Sequence, residues 1–268
     1  MENFKDFFIT YFKTQNLTFE VEENDFVSFV FEDRKIIIHY FLKKTDLNIK
    51  FNQNLTFTKI NIWEDLWLNA KEIIISRINS IFGLNHKIPA RVCKIKRIDK
   101  KEAENFLNQN HLQNYVGAKL KYGLFLPLKY FRLLPDSLEK INETDRLIGV
   151  MTFSNPKNYY LDNQTIASFE LVRFATLINF NVQGAFTKFL KHFIHHKKPG
   201  NIMTYVDKDW SDGLNFRKFG FEIISETEPM HYSLNDNGSR ILSVEMEDWQ
   251  VKNSGSIKFI LSDFERYK

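Results

Sequence analysis

The sequence predicts an α/β protein: a mixed sheet with flanking helices over the larger C-terminal part, preceded by a small α/β domain. Three observations point there. Short runs of β-branched and aromatic residues alternate with stretches of helical periodicity. Gly83, with Pro89 beyond it, stops a long helical pattern and marks a boundary in the chain. Further on, a strand passes through Gly184 and Ala185 into a helix, as in layered α/β folds.

Taken in order, residues 4–13 read as an amphipathic helix. Strand-like runs follow at 17–21, 26–31, 36–42 and 55–62, with polar and acidic turns between them. Residues 64–82 carry Leu66, Ile73, Ile74, Ile78 and Ile81 near helical spacing. Residues 85–89 are the expected boundary, which gives a first domain over 1–85 and a second over 90–235. The second opens with a strand at 90–97. Asp99 then caps a helix over 100–108, with Glu102 in the capping-box position. Strands are expected at 119–126, 147–153 and 169–176, with 127–145 as a charged insertion. A helix over 184–195 ends at Lys197, Lys198 and Gly200, and a strand covers 202–206. A short helix over 214–219 closes at Gly220. Runs at 222–225 and 230–234 are expected to finish the sheet. A strand-rich extension, 236–268, holds two more runs at 241–246 and 257–261.

Composition narrows the function classes. The 268 residues have 43% hydrophobic and 26% charged content, ordinary for a globular protein. The 27 Phe are read as a mark of an A/T-rich gene more than of packing. Cys93 is the single cysteine, so a disulfide framework and a cysteine-rich zinc site are excluded. The first residues lack a signal-peptide pattern, and no window reads as a membrane span, so a cytoplasmic protein without membrane contact is expected. Residues 1–90 carry 11 Lys and Arg against 12 Asp and Glu, whereas 91–268 carry 26 against 21. From Lys87 to Lys101 seven cations face Asp99 alone, so Lys94, Lys96, Arg97 and Lys100 are candidates for phosphate contact; a solvated strand and helix start is the equal alternative.

The strongest constellation runs from Glu170 to Phe221. A strand with Glu170 and Arg173 leads through Gln183, Gly184 and Ala185 into a helix whose N-terminus favours phosphate. The next strand ends in Thr204, Tyr205, Val206 and Asp207. A polar loop with Trp210 and Ser211 follows, and then Asn215 to Phe221. Polar groups at the ends of adjacent strands are where open α/β sheets collect ligands. His192, His195 and His196 lie on a helix end among Lys191, Lys197 and Lys198, which disfavours a cation, so no metal is expected.

The glycine-opened helix, the Tyr205–Asp207 strand end and the Asn215–Phe221 block resemble the closing motifs of GCN5-related N-acetyltransferases (GNAT). More specifically, residues 92–234 resemble the C-terminal domain of phage Hef-like homing endonucleases and, more distantly, Mom-type DNA modification proteins. The matching pieces are 98–107 with His111, 122–125, 147–153, 170–173 and 204–207. The resemblance implies a GNAT-like mixed sheet and an acyl-CoA donor, acetyl-CoA or another. It places the donor's pyrophosphate at Gln183, Gly184, Ala185 and Lys188, with Asn215 nearby. It implies that Arg173 and Asp207 are the catalytic pair and that DNA is the partner. Asp207 would orient or deprotonate an attacking amine and Arg173 would hold an anion; an ion pair bracing two strands is the bland alternative. His111, Tyr205, Trp210 and Ser211 are assigned to the substrate, with core roles as the alternative for His111, Tyr205 and Trp210.

The N-terminal part resembles Vsr-like, EDxHD-type nuclease domains through Asn61 to Trp67 and Lys71 to Ile78. This implies a restriction-endonuclease-like fold. The family's metal-binding acids fall here on Ser28 and His39, which implies a degenerate nuclease domain. The leading function is an N-acyltransferase-like protein acting on a nucleic-acid base amine. A catalytically inert DNA-binding protein of a phage or mobile element is the alternative, as is a GNAT enzyme acting on a protein or small-molecule amine.

Overall fold

The computed structural model describes residues 4–45, 57–135, 144–161, 164–243 and 249–267. The chain divides into two compact units. Residues 1–71, 206–215 and 225–258 form one; residues 72–205, 216–224 and 259–268 form the other.

In the first unit, α1 (Phe4–Thr14) buries Phe4, Phe8 and Phe12, spaced four apart on one face. They pack on β2 (Val27–Phe31) and β3 (Ile36–Phe41), where Phe4 stacks on Tyr40 at 3.9 Å and Phe12 meets Phe31 edge-on at 5.0 Å. Each such ring taken from water contributes about 1.5–3 kcal/mol, so these phenylalanines are packing residues whatever the codon bias. With β1 (Glu20–Glu23) and β4 (Thr58–Trp63) the strands run in the order β1-β2-β3-β4. The first two pairings are antiparallel and β3–β4 is parallel. The expected run at 55–62 begins in residues outside the described set. A separate three-stranded sheet, β15-β14-β16, is built from β14 (His231–Leu234), β15 (Arg240–Leu242) and β16 (Val251–Lys252). Residues 244–246 of the expected tail strand lie outside the described set.

Helix α2 (Glu64–Phe82) has the expected bounds, with a kink at Ala70 (φ −142°, ψ 34°).

The larger sheet has eight described strands. Its members are β6 (Lys94–Arg97), β7 (Leu120–Leu126), β8 (Arg146–Phe153), β9 (Lys157–Leu161), β10 (Gln164–Thr176), β12 (Asn201–Asp207), β13 (Glu222–Glu226) and β17 (Ser256–Leu261). The order is β13-β17-β12-β10-β8-β7-β6, with β9 paired to β10. Strands β6, β7, β8 and β10 pair antiparallel, and β10–β12 is parallel. Helix α3 (Lys100–Asn110) begins with the expected capping box: Asp99 accepts from the Glu102 N–H and Glu102 accepts from the Asp99 N–H. Its Ala103, Phe106 and Leu107 pack with Ile98, Val150 and Ala175. Helix α4 (Ala185–Lys197) buries Phe186, Phe189, Leu190 and Phe193, and α5 (Leu214–Lys218) is short.

Three expectations are corrected. Residues 230–234 do not finish the large sheet; β14 joins the small one, and Ser256–Leu261 takes the place between β12 and β13, with alternate side chains buried. Where the sequence marks only a boundary, over 85–89, β5 (His86–Pro89) forms and pairs in parallel with β11 (Phe180–Gln183). The strand expected over 90–97 is a 3-10 turn at Ala90–Val92 followed by β6. Long-range pairing decides each of these, and periodicity within a short window does not contain it.

Candidate active site

The sheet opens between β10 and β12. Their parallel ladder holds Ser168–Asn201, Phe169–Ile202 and Glu170–Met203, while β10 continues to Thr176. On the other edge of β10 the register with β8 shifts between Leu171 and Arg173, a bulge that bends the strand where the ladder ends. Thr204 Oγ1 donates to the Leu171 carbonyl at 3.0 Å at that point.

The helix after this strand starts at Gly184, whose φ of +79° puts it in the left-handed region. A Cβ there would meet only the Ala90 Cβ, at 4.0 Å, so backbone conformation rather than crowding calls for glycine. Gly184 supplies no side-chain cap, so the first-turn N–H groups of α4 require a partner from outside the helix. Gln183 and Gly184 are exposed and Ala185 is buried. Phe186, in the first turn, lies 4.6 Å from Phe219, 5.2 Å from Phe174 and 5.4 Å from Phe216 between ring centroids. Lys188, assigned to a phosphate by the resemblance, gives its ammonium to the carbonyls of Ala90 (2.9 Å) and Cys93 (2.6 Å). Those bonds tie α4 to the 3-10 turn. Burial pushes the Cys93 thiol up to about 11, against the opposing pull of Lys188, so it is no thiolate near neutral pH.

Arg173 Nε donates to the Asn114 carbonyl at 3.0 Å, while its terminal nitrogens reach the carbonyls of Val172 (3.0 Å) and Gln113 (3.4 Å). The same loop begins at His111, which ends α3 and accepts the Gln113 N–H on Nδ1. Burial, then the charges of Arg173 and Arg77, push His111 down to about 3. The imidazole is therefore neutral, with its proton on Nε2. Two residues singled out separately in the sequence thus converge on the 111–114 loop.

Asp207 ends β12 and belongs to the other unit. Its carboxylate accepts the Asp209 N–H at 3.0 Å, and its carbonyl accepts the N–H groups of Trp210 and Ser211. Trp210 is buried, Tyr205 is 45% exposed, Ser211 Oγ accepts the Gly213 N–H, and Asn215 is exposed on α5. Of the four residues assigned to substrate, Trp210 is therefore a core side chain.

Sequence reading missed Asp209. It is 2% exposed, and its Oδ1 accepts from Ser254 Oγ (2.5 Å), the Ser254 N–H (3.2 Å) and Asn61 Nδ2 (3.2 Å). Burial first, and Asp207 second, push its carboxyl up to about 7. Its partners lie 45 and 148 positions away, so no local pattern signals them.

The four candidate phosphate contacts are not presented together. Strand alternation places Lys94 and Lys96 on one face of β6 and Arg97 on the other. Lys96 pairs with Asp145 at 3.1 Å, Arg97 lies over the Tyr122 ring at 4.9 Å, and Lys100 is exposed at the start of α3. In the first unit, Ser28 and His39 face each other across β2 and β3, with Oγ and Nδ1 2.8 Å apart and both residues buried. Burial, then Lys59, push His39 down to about 4.

No family model and no curated protein matches the sequence. Among solved structures the chain is similar to a Bacillus subtilis acetyltransferase in complex with CoA, at 12% identity over 64% of this chain and 99% of that one, with a TM-score of 0.38. It is similar to the ribosomal-protein-S18-alanine N-acetyltransferase of Escherichia coli, at 12% identity over 63% and 92%, with a TM-score of 0.37. It is also similar to Arabidopsis thaliana Naa50 in complex with a bisubstrate analogue, at 13% identity over 64% and 99%, with a TM-score of 0.40. The fold itself is a mixed sheet with flanking helices, in which β6, β7, β8 and β10 pair antiparallel and β10 pairs in parallel with β12. No helix is long and apolar enough to cross a membrane among the described residues.

Proposed function

We propose that this chain is an acyl-CoA-dependent N-acyltransferase whose acceptor is an amine of a nucleic-acid base, with DNA as partner. The observation that carries the reading is the opening between β10 and β12 beside an uncapped helix N-terminus. The residues present fit a diphosphate-bearing donor at one end: Gln183 and Gly184 are exposed and the first-turn N–H groups of α4 lack a side-chain partner. Such a donor, acetyl-CoA or another acyl-CoA, supplies an activated acyl thioester.

The chain's own groups do the rest. Asp207 accepts or orients a proton of the attacking amine. Arg173 fixes the 111–114 loop, so that neutral His111 offers an Nε2–H to an acceptor. Lys188 acts structurally, through the carbonyls it holds. The N-terminal unit is read as a degenerate nuclease domain, in which the buried Ser28–His39 pair stands where a metal-binding pair of acids is required.

One observation favours a second reading, an inert DNA-binding protein. Phe186 packs against Phe174 and Phe219 at the first turn of α4, so a bulky ring stands next to the proposed phosphate site at Gly184 and Ala185. Calorimetry with CoA, followed by mass spectrometry of nucleosides after incubation with acetyl-CoA and DNA, separates the readings. Binding with a modified nucleoside supports the first. Binding with acylation only of protein or small-molecule amines moves the acceptor, and no binding leaves the inert reading.

A further inference from the structure

The two units differ sharply in charge. The second carries 24 Lys and Arg against 13 Asp and Glu, net +11, and the first 13 against 20, net −7. Within the second unit no acidic residue occurs between Glu170 and Asp207. The C-terminal end of α4 concentrates basic residues in this stretch: Lys197 and Lys198, with His195 and His196 beside them, are all exposed. Beside them stands a hairpin that the sequence reading did not foresee, β9 with the first half of β10. Gly200, two residues past Lys198, donates its N–H to the Ala167 carbonyl at 2.9 Å and lies against Ile166. Tyr159 is the cross-strand partner of Ile166, so its ring is on the same face. Its hydroxyl accepts from Asn201 Nδ2, which fixes the ring, and 41% of the residue stays exposed. Tyr160 points to the other face and is 80% exposed.

We propose that this corner of the second unit binds single-stranded nucleic acid. The α4 end takes backbone phosphates, and Tyr159 stacks on a base. A fixed, solvent-facing aromatic ring beside a cluster of basic residues meets the requirements of a single-strand surface. A duplex hides the base face that Tyr159 would engage, so the surface selects unpaired strand. The inference rests on the nucleic-acid half of the proposed function and not on acyl transfer.

The test is fluorescence anisotropy of the full chain with a labelled oligo-dT and, separately, a duplex, over a range of salt and without any acyl donor. Tyr159→Ala is expected to weaken oligo-dT binding roughly ten-fold or more while leaving the salt slope unchanged, and Tyr160→Ala, on the other face, to leave both unchanged. Tyr159→Phe retains the ring and is expected to bind as the unaltered chain does, apart from the lost tie to Asn201. Lys197→Ala/Lys198→Ala is expected to weaken binding and to flatten the log–log salt slope by about one unit or more. All these side chains are exposed, so the variants should fold. Unchanged oligo-dT affinity in Tyr159→Ala, or duplex bound as tightly as single strand, overturns the proposal. Intact single-strand binding without any acyl transfer counts against the enzymatic reading alone.

Discussion

Arg173 Nε donates to the Asn114 carbonyl at 3.0 Å, which joins a bulged strand of the sheet to the loop that follows α3. The guanidinium reaches Gln113 and Val172 as well, so one side chain holds three carbonyls. Arg173→Lys keeps the charge and loses the planar fork. Transfer is expected to fall by roughly ten- to a hundred-fold as the loop loses its position, with a stability loss of about 1 kcal/mol. If steady-state kinetics per folded molecule stay unchanged while the melting temperature drops, Arg173 only braces the loop.

Asp207→Asn keeps an oxygen able to accept the Asp209 N–H and removes the proton acceptor. The fold is expected to survive, checked by circular dichroism, while transfer falls by about 10²–10⁴-fold. Loss of folding with normal transfer in the remaining folded fraction would assign Asp207 to the turn alone.

Asp209 gives stability a pH dependence. Its carboxyl is pushed up to about 7, above the unfolded value, so the folded chain holds the proton more tightly. That contribution is complete below about pH 4 and is lost as pH rises through about 7. Asp209→Asn retains the acceptor for Ser254 and Asn61 and removes the titration. Urea midpoints measured from about pH 4 to pH 8 should therefore decline less in the variant than in the unaltered chain. Parallel profiles would show that Asp209 ionises freely.

Ser28→Ala leaves His39 Nδ1 buried without its hydroxyl partner. The expected cost is about 1–3 kcal/mol in chemical denaturation, with acyl transfer unaltered. Divalent-metal-dependent nicking by the purified protein, abolished by substitutions in the N-terminal part, would overturn the degenerate-nuclease reading.

The sequence by itself determined the local elements. The spacing of Phe4, Phe8 and Phe12, the Asp99–Glu102 capping box, the bounds of α2 and the glycine opening of α4 were all legible, because each is set within one or two turns of chain. Tertiary structure decided what depends on distant partners. Ser256–Leu261 enters the large sheet and Met230 to Leu234 does not, although the two runs look alike in a short window. Arg173 meets Gln113 and Asn114 across some sixty positions, and Asp209 is buried by Asn61 and Ser254. Charge followed the same rule. Residues 1–90 and 91–268, read along the chain, carry −1 and +5, yet the folded units carry −7 and +11, because the acidic segments 206–215 and 225–258 return to the N-terminal unit. Helix signals are short-range and written locally, whereas strand partners, buried carboxylates and charged faces exist only once the chain has closed on itself.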